Sequence, residues 1–267
     1  MAVEPLVIGA KNPRLRRLKQ LNNRTKVRSE ERAFVVDGPV LVADALRSGL
    51  VVEQVFAGPD VLFENNLQSL IGPQTEVFEV EPSVLVAALD PVNPRPLAAV
   101  VAQPRWGFDG LAADRPILVA VELRDPGNMG TMLRTAEAAG FGGVVIIGDS
   151  VDCMAPKVVR ASAGSVLRIP FVRVGDAAEA MGSIRAGGWP ILAAVVDPEA
   201  PTYDGFDLRT AAIVVGNEPH GLSAETIKLG DGQFTIPLSE TVESLNVAAA
   251  ASVLCFEAAR QRRVTAS

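Results

Sequence analysis

Residues 117–148 read ILVAVELRDPGNMGTMLRTAEAAGFGGVVIIG, and the fold turns on this stretch. It opens with a near-continuous apolar run, ILVAVEL (117–123), and ends in a second, GVVIIG (143–148). Runs of that kind suit parallel strands buried on both faces. Between them Asp125-Pro126-Gly127-Asn128 forms a tight turn. The spacing then predicts a helix over about 129–139, with Met132, Leu133 and Ala136 facing the sheet and Arg134 projecting along another side. Asn128 is the expected cap. A strand, a helix and a second strand in this order make a parallel crossover unit.

The pattern continues toward the carboxyl end. VLRIPFVRV (166–174) reads as a strand with its extension, and 176–187 as a helix. PILAAVV (190–196), AAIVVG (211–216) and QFTIPL (233–238) read as strands. An alanine-rich helix follows over 244–262, with Ser244 as its cap and Asn246 in its first turn. Three loops carry the unusual residues. Gly216 lets backbone approach a ligand closely, because it lacks a Cβ. Glu218 lies beyond the carboxyl end of a strand, where ligands of open α/β sheets bind. The small residues of 247–252 permit close packing against another element or a second subunit.

Toward the amino end the alternation is shorter: a helix over 13–28, a strand and turn in AFVVDGPV (33–40), then a helix over 40–48. A strand (51–57), a helix (60–70), a strand (75–80), a helix (82–88) and a strand (96–104) complete it. This predicts a small α/β domain over 1–106 and a linker over 107–115, within the stretch 103–116 that is rich in Gly, Pro and Asp. A larger parallel domain follows over 116–267.

Composition narrows the function. With 267 residues, 48% hydrophobic and 21% charged, the chain can bury a core and is too apolar to be disordered. One histidine, His220, and two distant cysteines exclude a multi-histidine or cysteine metal cluster, so no metal is expected. No apolar stretch reaches the roughly 18 residues of a membrane span, and the first residues lack a secretory pattern. A cytoplasmic protein without membrane partners is the expectation. Neither a G-x-G-x-x-G turn, a phosphate-binding G-x-x-x-x-G-K-[ST] loop nor a G-x-S-x-G elbow occurs.

The net charge of −6 hides an asymmetry. Residues 1–28 hold eight basic residues, among them Lys11, Arg14, Arg16, Arg17 and Lys19, against the single acid Glu4. The rest of the chain carries 17 basic and 30 acidic residues. A basic arm on an acidic body is a footprint of phosphate-backbone contact, while Leu15, Leu18 and Leu21 give the same helix an apolar stripe.

Three motifs, in order, carry a family resemblance. They are Asn128-x-Gly130-x-x-x-Arg134-Thr135-Ala136, then Val215-Gly216-x-Glu218-x-x-Gly221-Leu222-Ser223, then Ile236-Pro237 with Ser244-Leu245-Asn246-Val247. Together they resemble the SpoU/TrmH family of RNA ribose 2′-O-methyltransferases in the SPOUT superfamily. The basic front segment resembles the family's RNA substrate domain, and the pairing is most similar to the ribosomal RNA and thiostrepton-resistance branch. The resemblance implies a carboxyl-terminal parallel-sheet domain tied in a trefoil knot and a homodimer whose site draws on both subunits. It also implies S-adenosylmethionine at positions matching Val195, Val196, Gly216, Ile236, Leu245 and Asn246. Arg134, Asn128, Glu218, Ser244 and Asn246 match the catalytic set, and Arg160 matches a second RNA-associated arginine. The implied reaction is methyl transfer to a ribose 2′-hydroxyl of RNA, 23S ribosomal RNA foremost. A transfer-RNA enzyme on the same scaffold, or an RNA-binding protein with weak or lost cofactor binding, are the alternatives.

Overall fold

The computed structural model describes residues 4–89, 95–217 and 221–265. By its contacts the chain forms two compact units. One is Met1–Arg105 with Asp152–Leu167, and the other is Trp106–Val151 with Arg168–Ser267.

The first unit opens with a short strand, β1 (Leu6–Ile8), which has too few residues to show an alternating pattern in the sequence. Helix α1 (Pro13–Asn23) starts where the Asn12 side chain accepts the Arg14 N–H at 2.9 Å, with proline in the first turn. Leu15, Leu18 and Leu21 are buried, as their spacing predicts; burying each contributes roughly 1.5–3 kcal/mol. The single helix expected over 13–28 is interrupted. Arg24 adopts an extended backbone (φ −128°, ψ 111°), and α2 (Thr25–Glu31) begins after it. Arg28 accounts for the break: it is 3% exposed and donates to the Leu21 and Asn22 carbonyls at 2.8 and 3.1 Å. Those are terminal carbonyls that α1 leaves without helical partners.

Strands β2 (Ala33–Asp37), β3 (Val52–Ala57), β4 (Glu76–Val80) and β5 (Leu97–Ala102) join β1 in the order β1-β4-β3-β5-β2. β1, β4 and β3 run parallel, and β5 is antiparallel to both its neighbours. Helices α3 (Pro39–Arg47) and α5 (Pro82–Leu89) lie between strands in the chain. The helix expected over 60–70 shrinks to one turn, α4 (Val61–Glu64), and a 3₁₀ turn at Gln68–Leu70. The core joins α1 and α5 to the sheet, with Phe56 and Phe78 at 5.1 Å between ring centroids.

The second unit is built on six parallel strands: β6 (Ile117–Val121), β7 (Gly143–Ile147), β8 (Phe171–Val174), β9 (Ile191–Val195), β10 (Ala212–Val215) and β11 (Gly232–Thr235). Their order is β11-β9-β10-β6-β7-β8. Every residue of β6, β7 and β10 is buried, which is why these strands read as continuous apolar runs. Helix α6 (Pro126–Ala138) buries Met132, Leu133 and Ala136 and leaves Arg134 exposed, as expected. Its cap is Asp125, which accepts the Asn128 N–H at 2.7 Å, so the expected capping role of Asn128 is corrected.

A short helix, α7 (Pro156–Ala161), falls in the segment that packs with the first unit, whereas the sequence alone assigns 116–267 to one domain. Two ion pairs bind this segment there, Arg28–Asp152 at 2.8 Å and Arg160–Asp37 at 3.2 Å. The strand expected over 166–174 is confined to β8, because Ser165–Leu167 forms a 3₁₀ turn. Helices α8 (Ala177–Ala186), α9 (Ala224–Lys228) and α10 (Val247–Thr265) complete the unit. α10 packs on α6. Ala248 and Ala251 are buried, and the Thr135 and Ser252 hydroxyls meet at 3.2 Å. No helix among the described residues is long and apolar enough to cross a membrane.

Candidate functional site

Three neighbouring strands, β11, β9 and β10, end side by side, and a cleft of about 590 Å³ opens there. This is the carboxyl edge of a parallel sheet, the usual ligand position in such folds. Val195 and Val196 come from the end of β9, Val215–Asn217 from β10, and Thr235 and Ile236 from β11. Glu243, Ser244, Leu245 and Asn246, leading into α10, line the cleft as well. The structure thus gathers Val195, Val196, Gly216, Ile236, Leu245 and Asn246 around one cavity. Sequence reading did not nominate Asn217, Thr235, Leu238 or Glu243; their only signal was adjacency to strand ends and to the third motif.

Gly216 has a second reason beside the one expected. A Cβ on it would lie 2.4 Å from the Gly221 carbonyl carbon and 2.5 Å from the Leu222 nitrogen. The space a side chain would take is occupied by the returning chain itself, not reserved for a ligand alone. Gly221 closes this turn at φ +64°, donating its N–H to the Asn217 carbonyl at 2.8 Å. Glu218 and His220 lie outside the described residues.

Asn246 is the hub of the polar side. Its Oδ1 accepts the N–H groups of Ala248 and Ala249 at 3.0 and 3.2 Å, so it, rather than Ser244, caps α10. Its Nδ2 donates to Asn128 Oδ1 at 3.1 Å. The cap position leaves the amide both anchored and at the cleft, because a capping side chain folds back over free helix N–H groups. Ser244 is exposed and lines the cleft.

Arg134 does not line the cleft. It sits six residues beyond Asn128 on α6, about 9 Å further along the helix and turned by roughly a third of a circle. It is exposed and makes no hydrogen bond or ion pair to another described residue.

The basic residues divide into two groups. Arg14 forks onto Glu76 at 2.6 and 3.2 Å and lies 5.1 Å from the Phe78 ring centroid. The hydrogen bond from Arg14, helped by Gln54, holds the Glu76 carboxyl below its ordinary value. Arg17 bridges Glu31, Glu53 and Gln54 at 2.6–3.0 Å. Arg160 pairs with Asp37. Their guanidinium groups are therefore engaged by acids within the first unit. Lys11, Arg16 and Lys19 are exposed and have no partner among the described residues.

The cleft suits S-adenosylmethionine. Apolar walls from Val195, Val196, Ile236 and Leu245 fit an adenine ring and an alkyl-sulfur arm, while Asn217, Thr235 and Ser244 offer neutral polar groups for ribose and amino-acid atoms.

Comparison with known proteins agrees with this architecture. Residues 115–256 match the SpoU rRNA Methylase family model, and residues 12–99 match the MRM3-like substrate binding domain. The chain is 30% identical over 248 residues to the 23S rRNA (guanosine(2553)-2′-O)-methyltransferase RlmP of Bacillus subtilis, covering 93% of this chain and 96% of that one. An AdoMet-bound rRNA methyltransferase from Sinorhizobium meliloti superposes with a TM-score of 0.84 at 28% identity, over 95% and 98% of the two chains. The SpoU methyltransferase AviRb from Streptomyces viridochromogenes, in complex with AdoMet, gives 0.83 at 29% identity, over 95% and 100%. With the family model matching residues 115–256 and a relative 30% identical over nearly the whole chain, the chain belongs to the SpoU rRNA methylase family.

Proposed function

We propose that this enzyme methylates a ribose 2′-hydroxyl of 23S ribosomal RNA, with S-adenosylmethionine held in the cleft at the ends of β9, β10 and β11. The carrying observation is the link between that cleft and α6: Asn246 lines the cavity and binds Asn128 on the helix that presents Arg134. The bound cofactor supplies a methyl group already activated by sulfonium charge, so no metal is required.

The chain's own residues serve the RNA. A 2′-hydroxyl is a poor nucleophile until its proton is leaving. A guanidinium is by its chemistry a poor general base, so the role of Arg134 is to anchor the target phosphate and stabilise charge growing on the 2′ oxygen. Asn128 and Asn246 fix the geometry on the cofactor side, and Ser244 and Glu218 complete the polar set. Lys11, Arg16 and Lys19, exposed on or just before α1, contact the RNA backbone, while Arg14, Arg17 and Arg160 shape the surface that presents them.

The working form is a homodimer. Arg134 lies outside the lining of its own chain's cleft, and α10 shows solvent an apolar stripe of Val253, Phe256 and Val264. A second copy covering that stripe would bring two chains' residues to each site. The trefoil knot belongs to the same reading. A cytoplasmic location goes with a ribosomal substrate.

Calorimetric titration with S-adenosylmethionine, followed by mapping of 2′-O-methylated nucleotides in 23S and transfer RNA, tests this. One site per chain and a single modified 23S ribose is the expected result. Modification of transfer RNA alone would overturn the substrate assignment, and absence of cofactor binding would overturn the site.

A further inference from the structure

We propose that Glu243 is a specificity-determining residue, favouring the charged cofactor over the neutral product left after methyl transfer. Among the described residues that line the cleft, Glu243 is the one with an ionisable side chain. The rest are apolar or neutral polar. Glu243 is exposed and has no hydrogen bond or ion pair with another described residue. It precedes the first residue of α10 by four positions, and the cap of that helix is already supplied by Asn246. No local fold requirement therefore accounts for a negative charge at this wall.

The reaction's chemistry does. S-adenosylmethionine carries a sulfonium, an ammonium and a carboxylate, a net charge of +1. Once the methyl group has gone, S-adenosylhomocysteine keeps the ammonium and carboxylate and is neutral overall. The two molecules share nearly all their surface, so an apolar cleft scarcely tells them apart. A fixed negative charge acts on the shared ammonium and carboxylate of both molecules alike, and on the sulfonium of the reactant alone. It strengthens binding of the reactant and leaves the product without that attraction, which limits product inhibition. In a partly exposed cleft the effect is about five-fold, since solvent screens much of the Coulomb energy.

The inference rests on the cleft being the cofactor site, and the experiment separates the two. The full chain and its Glu243→Gln variant are titrated calorimetrically with S-adenosylmethionine, S-adenosylhomocysteine and sinefungin, whose protonated amine replaces the sulfonium. In Glu243→Gln the preference for S-adenosylmethionine over S-adenosylhomocysteine is expected to fall about five-fold, almost all of it from weaker binding of the charged ligand. Sinefungin is expected to weaken alongside S-adenosylmethionine, and the preference of the wild type to shrink in high salt. An unchanged ratio, or equal weakening of all three ligands, overturns the role of Glu243. A purely structural role would move the melting temperature without moving the ratio. Ala250→Phe, which fills the cleft, is the control for the site: loss of all three ligands is expected, and undiminished binding would place the cofactor elsewhere.

Discussion

Arg134 ends in solvent with no partner among the described residues, on a helix whose first turn is bound to the cleft through Asn128 and Asn246. An arginine held ready by its helix but unneutralised by its neighbours is suited to an anionic target. Arg134→Ala is therefore expected to lower methyl transfer about 100-fold or more. Cofactor affinity should stay within about two-fold, because the side chain does not line the cavity. Transfer of labelled methyl to RNA beside calorimetry of the cofactor checks both, and near-normal turnover would refute the role. Gly216 is the opposite case, a residue that matters by having no side chain. Gly216→Ala places a methyl group against the Gly221–Leu222 backbone and is expected to destabilise the fold by about 1–3 kcal/mol. The urea unfolding midpoint measures it, and an unshifted midpoint would mean the turn relaxes freely.

At the level of elements, α6 and α10 are registered by two polar links as well as by small-residue packing. One is Asn128–Asn246 at 3.1 Å, and the other is the Thr135–Ser252 hydroxyl pair at 3.2 Å, seven residues further along α6. Ser252 also donates to the Ala248 carbonyl at 2.7 Å, which leaves its oxygen to accept from Thr135. Thr135→Val and Ser252→Ala are each expected to cost about 0.5–1.5 kcal/mol. Because they break the same contact, the double variant should cost less than the two together. A double-mutant cycle by urea unfolding reads the coupling, and strict additivity would show that the hydroxyls do not interact. The expected capping roles of Asn128 and Ser244 differed from the observed ones for a related reason. Several Asn, Asp and Ser residues crowd each helix start, and only the path of the incoming chain selects which folds back over the free N–H groups.

For the whole molecule the question is which charges reach the RNA. Replacing Lys11, Arg16 and Lys19 together by Gln is expected to reduce the slope of log affinity against log salt by roughly 2–3, at about 0.7–0.9 per phosphate contact. Arg14 and Arg17 replacements should instead act mainly through stability, since both are bound to acids of the same unit. Filter binding across a salt series distinguishes the cases, and an unchanged slope in the triple variant would exclude α1 from the interface. Assembly is tested at α10. Phe256, half exposed beside Val253, is expected to become a barrier to association as Phe256→Glu, shifting sedimentation from dimer to monomer. A variant that sediments unchanged would place any interface elsewhere.

The apolar runs at 117–123, 143–148 and 211–216 announced a buried parallel sheet without tertiary information, because strands covered on both faces have no polar side to interrupt them. Leu15, Leu18 and Leu21 marked the buried face of α1 for the same local reason, and the three ordered motifs placed Asn246, Gly216 and Leu245 in one site. What the sequence could not decide was partnership between distant residues. That Arg28 would be buried beneath the end of α1, and that Arg14 and Arg17 would meet acids from other elements, depends on how strands and helices come together. So does the grouping of residues 152–167 with the first unit and the role of Gly216 as room for a returning chain. A side chain's periodicity is written in its near neighbours, but its charge partner and the space around it are set by residues brought close only when the chain has folded.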